Sequence, residues 1–255
     1  MLNNLSLEIY VVFAVICLAT LFFFLRLITQ PLLVNGKLKF SLFLTGGICT
    51  WIVVHSILAY NQFFLSSYNL PPRIFLVAIP ATLLIFGSLY FLWRSSYFEN
   101  IPLKTMTYIH TIRFPLELIV FTGFASAGLI PEKMTFHGTN FDILVGITAP
   151  IVGYLYFTRK SISWKVLLAW NIVSLALLIN ITFTAVLSMP YPFQQFGLEQ
   201  PNLALLNFPF ILVPALLVQV AYFCHIVSIH KLLCFKDQRQ QSNKNDIALT
   251  STTHP

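Results

Sequence analysis

Apolar residues in this chain come in long runs, and the polar residues gather in short connections between them. About 20 mostly apolar residues are needed for a helix to cross ~30 Å of hydrocarbon. The pattern predicts seven such spans, near residues 9–28, 40–60, 73–93, 106–127, 141–158, 166–189 and 208–229. The sequence therefore predicts an all-α fold, a polytopic transmembrane bundle of seven helices.

Composition supports the membrane interpretation. Charged residues make up 9% of the chain and the mean hydropathy is +0.80, whereas a soluble domain carries roughly 25% charged residues. Residues 1–233 form the predicted seven-helix domain. Residues 234–255 lack apolar periodicity and are rich in Gln, Asn, Ser and Thr, so we expect a disordered cytoplasmic tail.

Basic residues predict the orientation of the spans. Twelve of the 15 Lys and Arg residues flank alternate connections or follow the last span, Arg73 and Lys133 lie on the opposite side, and Arg113 lies within a span. Positive charge is retained on the cytoplasmic side during insertion. We therefore expect the N-terminus outside and the C-terminus in the cytoplasm. The short loops favour a bacterial cytoplasmic (inner) membrane, with lipid and not nucleic acid as the partner.

The fourth predicted span carries an unusual set of ionisable residues: His110, Arg113 and Glu117. At ~100° per residue, His110 and Glu117 project about 20° apart and Arg113 about 60° from His110, so all three share one helix face. Pro115 lies between them and cannot donate a hydrogen bond to the carbonyl of Thr111, which predicts a bend.

Two interpretations of this cluster remain open. Arg113 and Glu117 are spaced i,i+4 and can pair along the helix, which would make them a buried ion pair that fixes helix packing. Ionisable residues within spans also mark binding sites, proton relays and substrate pathways. In that case Glu117 is the protonatable group, Arg113 tunes its charge and His110 relays protons.

Asp142 lies where the fifth predicted span begins. A helix that starts at Phe141 would have Asn140 or Thr139 as its cap, and Asp142 would meet the positive end of the helix. The alternative is that Asp142 binds a cation or a polar ligand. Gly146 and Gly153 would allow close approach of neighbouring helices.

Amides in later spans could complete a polar site. Asn171 and Asn180 are nine residues apart, an offset of about 180° on a regular helix, so they cannot both face one cavity. Asn180 lies deeper and is the better candidate. Gln219 is central in the last span, where Pro214 predicts a kink.

No cofactor or metal set is predicted. The chain has no CxxC pair, no Walker loop and no GxSxG motif, and His225 and His230 are five residues apart, which places them about 140° apart on a helix.

These features favour a membrane protein that transports or senses a small solute or a proton, with a site formed by His110, Arg113, Glu117, Asp142, Asn180 and Gln219. An alternative is an intramembrane enzyme that acts on a lipid or quinone, with His110 and Glu117 as acid and base. Another alternative is a structural or assembly subunit whose charged helix face meets a partner. We expect a non-enzyme.

Overall fold

The computed structural model describes residues 5–65, 71–77, 79–80, 83 and 100–251, with side chains described as far as Cys234. The protein is all-helical: 75% of it is helix, and the described residues contain no strand. Helix α1 covers Leu7–Val34 and helix α2 covers Leu38–Tyr60.

Helix α3 is a stack of five consecutive helical segments of different pitch. In chain order they are Leu103–Tyr108 (α), Ile109–Ile112 (3₁₀), Arg113–Pro115 (α), Leu116–Phe121 (π) and Thr122–Ser126 (α). The pitch changes on both sides of Pro115, which lacks the N–H that a regular helix needs there. Helix α3 is therefore irregular on both sides of Pro115, and the predicted bend remains a prediction.

Three further helices follow in the part of the chain that the structure describes. Helix α4 consists of Asp142–Gly153 followed by a π segment, Tyr154–Thr158. Helix α5 covers Trp164–Leu187. Helix α6 consists of a π segment, Val213–Leu217, followed by Val218–Ser251. Short 3₁₀ turns at Phe63–Leu65, Glu132–Met134 and Ala204–Leu206 lie in the connections.

Among the described residues, four helices are long and apolar enough to cross a membrane: α1, α2, α5 and Val213–Cys234 of α6. They correspond to the first, second, sixth and seventh predicted spans. Asp142–Thr158 is a shorter apolar helix, and the predicted fourth span falls on the segmented helix α3. Most of the predicted third span, 73–93, lies outside the described residues. Seven spans and the orientation of the termini remain predictions.

A close approach of α3 and α4 positions the charged residues. A Cβ on Gly146 would lie 2.8 Å from the Cα of Phe114, so the backbones of the two helices touch where position 146 has no side chain. A Cβ on Gly153 would lie 2.9 Å from the Tyr108 ring. Both glycines therefore allow close packing, as predicted, and both do so between α3 and α4.

The other helices pack around this pair. Helix α5 runs along α6, and α1 contacts α2, α3 and α6. Aromatic rings fill the junction of α1, α3 and α6: Phe210 contacts Phe13 at 4.9 Å and Phe124 at 4.5 Å between ring centroids. All three rings are buried.

Two long connections, 128–140 and 188–207, are joined by hydrogen bonds. The amides of Leu203 and Ala204 both donate to the carbonyl of Leu129, and the Gln200 side chain donates to the carbonyls of Ala125 and Ile130. These loops therefore form one packed layer over the end of α3 that is near Ser126.

Helix α6 extends past Leu233 into segment 234–255, for which the sequence predicts disorder. The domain boundary at Leu233 and the disordered tail remain predictions.

Candidate functional site

Arg113 on α3 pairs with Asp142 at the start of α4. Its Nη1 lies 3.4 Å from Asp142 Oδ1, and the two side chains are 5% and 6% exposed. The sequence suggested Glu117, one turn along the same helix, as the partner of Arg113. The π segment that begins at Leu116 holds more residues per turn than an α-helix, so the i,i+4 spacing no longer stacks these two residues directly.

Glu117 is held by an amide from the loop before α4. Asn140 Nδ2 donates to Glu117 Oε2 at 2.6 Å and to the Met134 carbonyl at 2.9 Å. The Asn140 oxygen accepts the backbone N–H of Asp142 at 3.1 Å. Asn140 thus links both carboxyl residues, and it is fully buried.

Local sequence explains this arrangement. The helix begins at Asp142 with Phe141 as its N-cap residue, one residue later than predicted, and Asn140 closes a turn onto Asp142, as Asn commonly does two residues before an amide. Asp142 lies one turn before Gly146, where α4 touches the backbone of Phe114. The glycine contact therefore brings Asp142 beside Arg113, the residue that precedes Phe114.

A cavity of about 710 Å³ adjoins these charges. Helix α3 contributes His110, Arg113 and Glu117 to its wall, and α4 contributes Asp142. The opposite wall comes from α5 and α6 and is mostly apolar, with Leu178, Ile181, Phe183, Val213, Leu217 and Ala221 among its residues. Met134 and Leu205 also line the cavity, so the packed loop layer closes one end of it.

His110 faces a second buried imidazole. The rings of His110 and His225 are stacked, with centroids 3.8 Å apart and planes inclined by 8°, and both residues are at most 2% exposed. His225 Nδ1 lies 3.0 Å from Asn171 Oδ1. Trp170 packs 5.8 Å from both imidazoles and donates through Nε1 to Thr148 Oγ1 at 2.9 Å.

Four buried polar atoms have no hydrogen-bond partner within the described part of the chain: His110 Nε2, His225 Nε2, Thr111 Oγ1 and Arg113 Nη2. Three of these belong to one stretch of α3. Buried polar groups are nearly always paired with protein or water. Two of the four atoms, His110 Nε2 and Arg113 Nη2, belong to residues that line the cavity.

Five of the six predicted site residues line the cavity, and four of them, His110, Arg113, Glu117 and Asp142, lie on its α3–α4 side. Gln219 lines it too, but its Nε2 donates to the carbonyl of Pro214 at 3.1 Å on its own helix.

Asn180 lies apart from the cluster. It is exposed and donates to the Thr139 carbonyl at 2.9 Å, which ties α5 to the loop before α4. The predicted opposition of Asn171 and Asn180 is present, with Asn171 fully buried. The face of α5 that meets α6 contains Asn171 and not Asn180, and the role of Asn180 as a site residue remains a prediction.

Asn140 and the pairing of His110 with His225 were not predicted as parts of the site. From the sequence, Asn140 is a candidate helix cap, and His225 lies near the end of the last predicted span. A loop amide that reaches Glu117 across 23 positions, or an imidazole that meets another 115 positions away, gives no periodic signal. The local clue was the density of polar residues around Asp142.

Fold and site together define an all-helical protein whose apolar helices fit a membrane and which contains a cavity with charged residues on one wall. A family described as a domain of unknown function, DUF8737, matches residues 71–233, and the chain belongs to that family. The matched region contains every cavity-lining residue named above. No curated protein and no solved structure matches the chain.

Proposed function

We propose that this chain is a membrane protein that transports or senses a small solute or a proton at the cavity bounded by Arg113, Glu117 and Asp142. The observation that carries the proposal is the position of these charges. They lie on the wall of a cavity large enough for a small molecule, beside the close contact of α3 and α4.

The charge balance of the cluster supports proton exchange. Two carboxyl groups, Glu117 and Asp142, share one guanidinium, and the salt-bridge contact goes to Asp142. An isolated buried carboxylate is very costly. Because Arg113 pairs with Asp142, Glu117 has no cation of its own among the described residues. It is therefore the group that binds a proton or the cationic part of a ligand.

A purely structural role for the charges explains less. A partner-docking helix would present Arg113 and Glu117 outward, but both are at most 4% exposed. A packing lock would satisfy its own polar atoms, but Arg113 Nη2 has no partner among the described residues.

Proton flux into proteoliposomes tests the transport proposal. Vesicles with purified protein and an internal pH dye receive a potassium-diffusion potential, and the rate of pH change is compared with that of protein-free vesicles. We expect faster flux with the natural chain and a rate close to that of empty vesicles with Glu117→Gln.

Glu199→Gln is the matched control, because it makes the same chemical change at an exposed loop position and should leave the flux unchanged. Equal flux for the natural chain and a correctly folded Glu117→Gln variant would contradict the role of Glu117. Flux no faster than that of empty vesicles would contradict transport of protons.

The second candidate is an enzyme that acts on a lipid or quinone, which the apolar α5–α6 wall favours. His110 and Glu117 both line the cavity and are the acid–base pair that this chemistry would use. Incubation of the protein with labelled bilayer lipids and quinone, followed by chromatography, separates the candidates: a new product that His110→Phe abolishes supports catalysis.

A further inference from the structure

The proposed function leaves the class of solute open, and three features of the cavity restrict it. They are the excess carboxyl charge on one wall, the apolar surface opposite, and the exposure of two residues that line it. We propose that the cavity binds a lipophilic organic cation, an apolar molecule with a single positive charge, in exchange for a proton. This inference rests on the proposed function of the cavity as a ligand site.

The charged wall favours a cation. Arg113 contributes one positive charge, and Glu117 and Asp142 contribute two acidic groups. When both carboxyls are ionised the wall carries one net negative charge, and a single cationic group neutralises it. An anionic ligand would add a second uncompensated charge in an apolar setting, where charge pairs are much stronger than in water.

The opposite wall favours an apolar body. Helices α5 and α6 supply mainly aliphatic side chains and Phe183, and the polar atoms there have partners of their own. Tyr222 donates to Thr182 Oγ1 at 3.1 Å, and Thr182 donates to the Leu178 carbonyl at 2.7 Å. The cavity volume of about 710 Å³ is within the range of small-molecule sites, roughly 300–1,000 Å³.

Two lining residues indicate a route from the bilayer. Ile179 and Phe183 line the cavity, and yet they are 39% and 65% exposed. Both lie on α5, a helix long and apolar enough to cross a membrane. The cavity therefore reaches the surface that α5 presents to lipid, where an apolar cation would accumulate before it binds.

Binding and deprotonation are linked at Glu117. In the empty site a proton on Glu117 neutralises its carboxylate. In the filled site the cationic group of the ligand neutralises it instead. One proton leaves for each cation that enters, so the net charge of the site does not change. The charged and titratable groups that line the cavity with Glu117 are Arg113 and His110 on α3, Asp142 on α4 and Tyr222 on α6.

Equilibrium dialysis with two ions of matched shape tests the charge preference. Tetraphenylphosphonium and tetraphenylborate have nearly the same size and apolar surface and opposite charge. With the detergent-purified full chain we expect saturable binding of tetraphenylphosphonium near one per chain. A pH-indicator dye in weak buffer should report release of close to one proton per bound cation. Tetraphenylborate that binds as tightly as tetraphenylphosphonium, or cation binding that does not saturate, would overturn the proposal.

Variants locate the binding. Glu117→Gln should weaken cation binding by at least about tenfold, as expected when one member of a buried charge pair is removed, and should abolish proton release. Glu199→Gln should bind like the natural chain. Unchanged binding by a monodisperse Glu117→Gln protein would overturn the assignment.

A second pair of variants does not alter the charged wall. Ile179→Trp fills the exposed edge of the cavity and should reduce binding of tetraphenylphosphonium at least about tenfold, because overpacking excludes the ligand. Ile172→Trp, on the same helix and also exposed, lies outside the cavity lining and should bind normally. Equal binding by both tryptophan variants would overturn the route along α5.

These binding measurements need no transport and no membrane. Proton flux that depends on Glu117 without binding of the phosphonium ion would reject this inference and leave the proposed function standing. Binding with proton release but no flux in vesicles would reject transport and leave the ligand class standing.

Discussion

The two walls of the cavity differ in how their polar atoms are held. On the α5–α6 wall, Thr182, Gln219 and Tyr222 have hydrogen-bond partners among protein atoms. On the α3 wall, Arg113 and His110 each retain a buried nitrogen without a partner in the described part of the chain. The polar groups of the α5–α6 wall are held by protein atoms, whereas the α3 wall carries charged residues whose hydrogen bonds are incomplete.

The backbones of α3 and α5 also differ. Helix α5 is a regular α-helix over 24 residues, whereas α3 changes pitch four times in a similar length. Irregular turns of 3₁₀ and π type shift side chains out of the regular register, and π turns are frequent at functional sites. The account therefore predicts that changes on the α3–α4 side have larger effects than equivalent changes elsewhere.

The largest effect is expected for Arg113→Met. Removal of the guanidinium leaves Glu117 and Asp142 as buried carboxyls without a cation, which costs about 3–5 kcal/mol of stability. Unfolding of the purified protein in detergent, followed by far-UV circular dichroism, measures the loss. Arg113→Met combined with Asp142→Leu should recover much of it, because the unpaired carboxyl is removed as well. A single variant as stable as the natural chain would show that the pair does not contribute.

A smaller effect is expected for Gly146→Ala. Its Cβ would meet the backbone of Phe114, so α3 and α4 must separate, at a cost of about 1–3 kcal/mol. Gly47→Ala is the matched control, because a Cβ there meets no described atom within 4 Å. The same unfolding assay compares them, and equal stability would show that the close approach at position 146 is not required.

The smallest effect is expected at the imidazole pair. Asn171→Leu removes the partner of His225 Nδ1 and should cost about 1–2 kcal/mol, in the range for interhelical hydrogen bonds. Asn180→Leu breaks a bond at an exposed position and should cost less. Thermal unfolding of both variants in the same detergent gives the comparison, and a larger loss for Asn180→Leu would reverse our assignment of the two amides.

The sequence predicted the helical class and most of the α3 cluster for a simple reason. Apolar runs and the i, i+3, i+7 spacing of His110, Arg113 and Glu117 are local patterns, and helix geometry converts them directly into faces. Asp142 was predicted as a site residue because it lies at the start of a helix, which is also a local signal.

The partners of these residues are tertiary features. Arg113 meets Asp142 because Gly146 lets two helices touch, and Glu117 meets Asn140 because a loop folds back toward α3. Neither contact has a periodicity in the chain. The burial of Asn171 rather than Asn180 is likewise a tertiary feature, since depth within a span does not determine which face of a helix is buried.

The most direct test of the account is the reaction of Glu117 with dicyclohexylcarbodiimide, a hydrophobic reagent that modifies protonated carboxyl groups in apolar surroundings. The full chain in detergent is treated and its peptides are analysed by mass spectrometry. The account predicts an adduct at Glu117 that tetraphenylphosphonium suppresses. An unmodified Glu117 in the folded protein, with modification after unfolding, would contradict the claim that this carboxyl adjoins an accessible cavity.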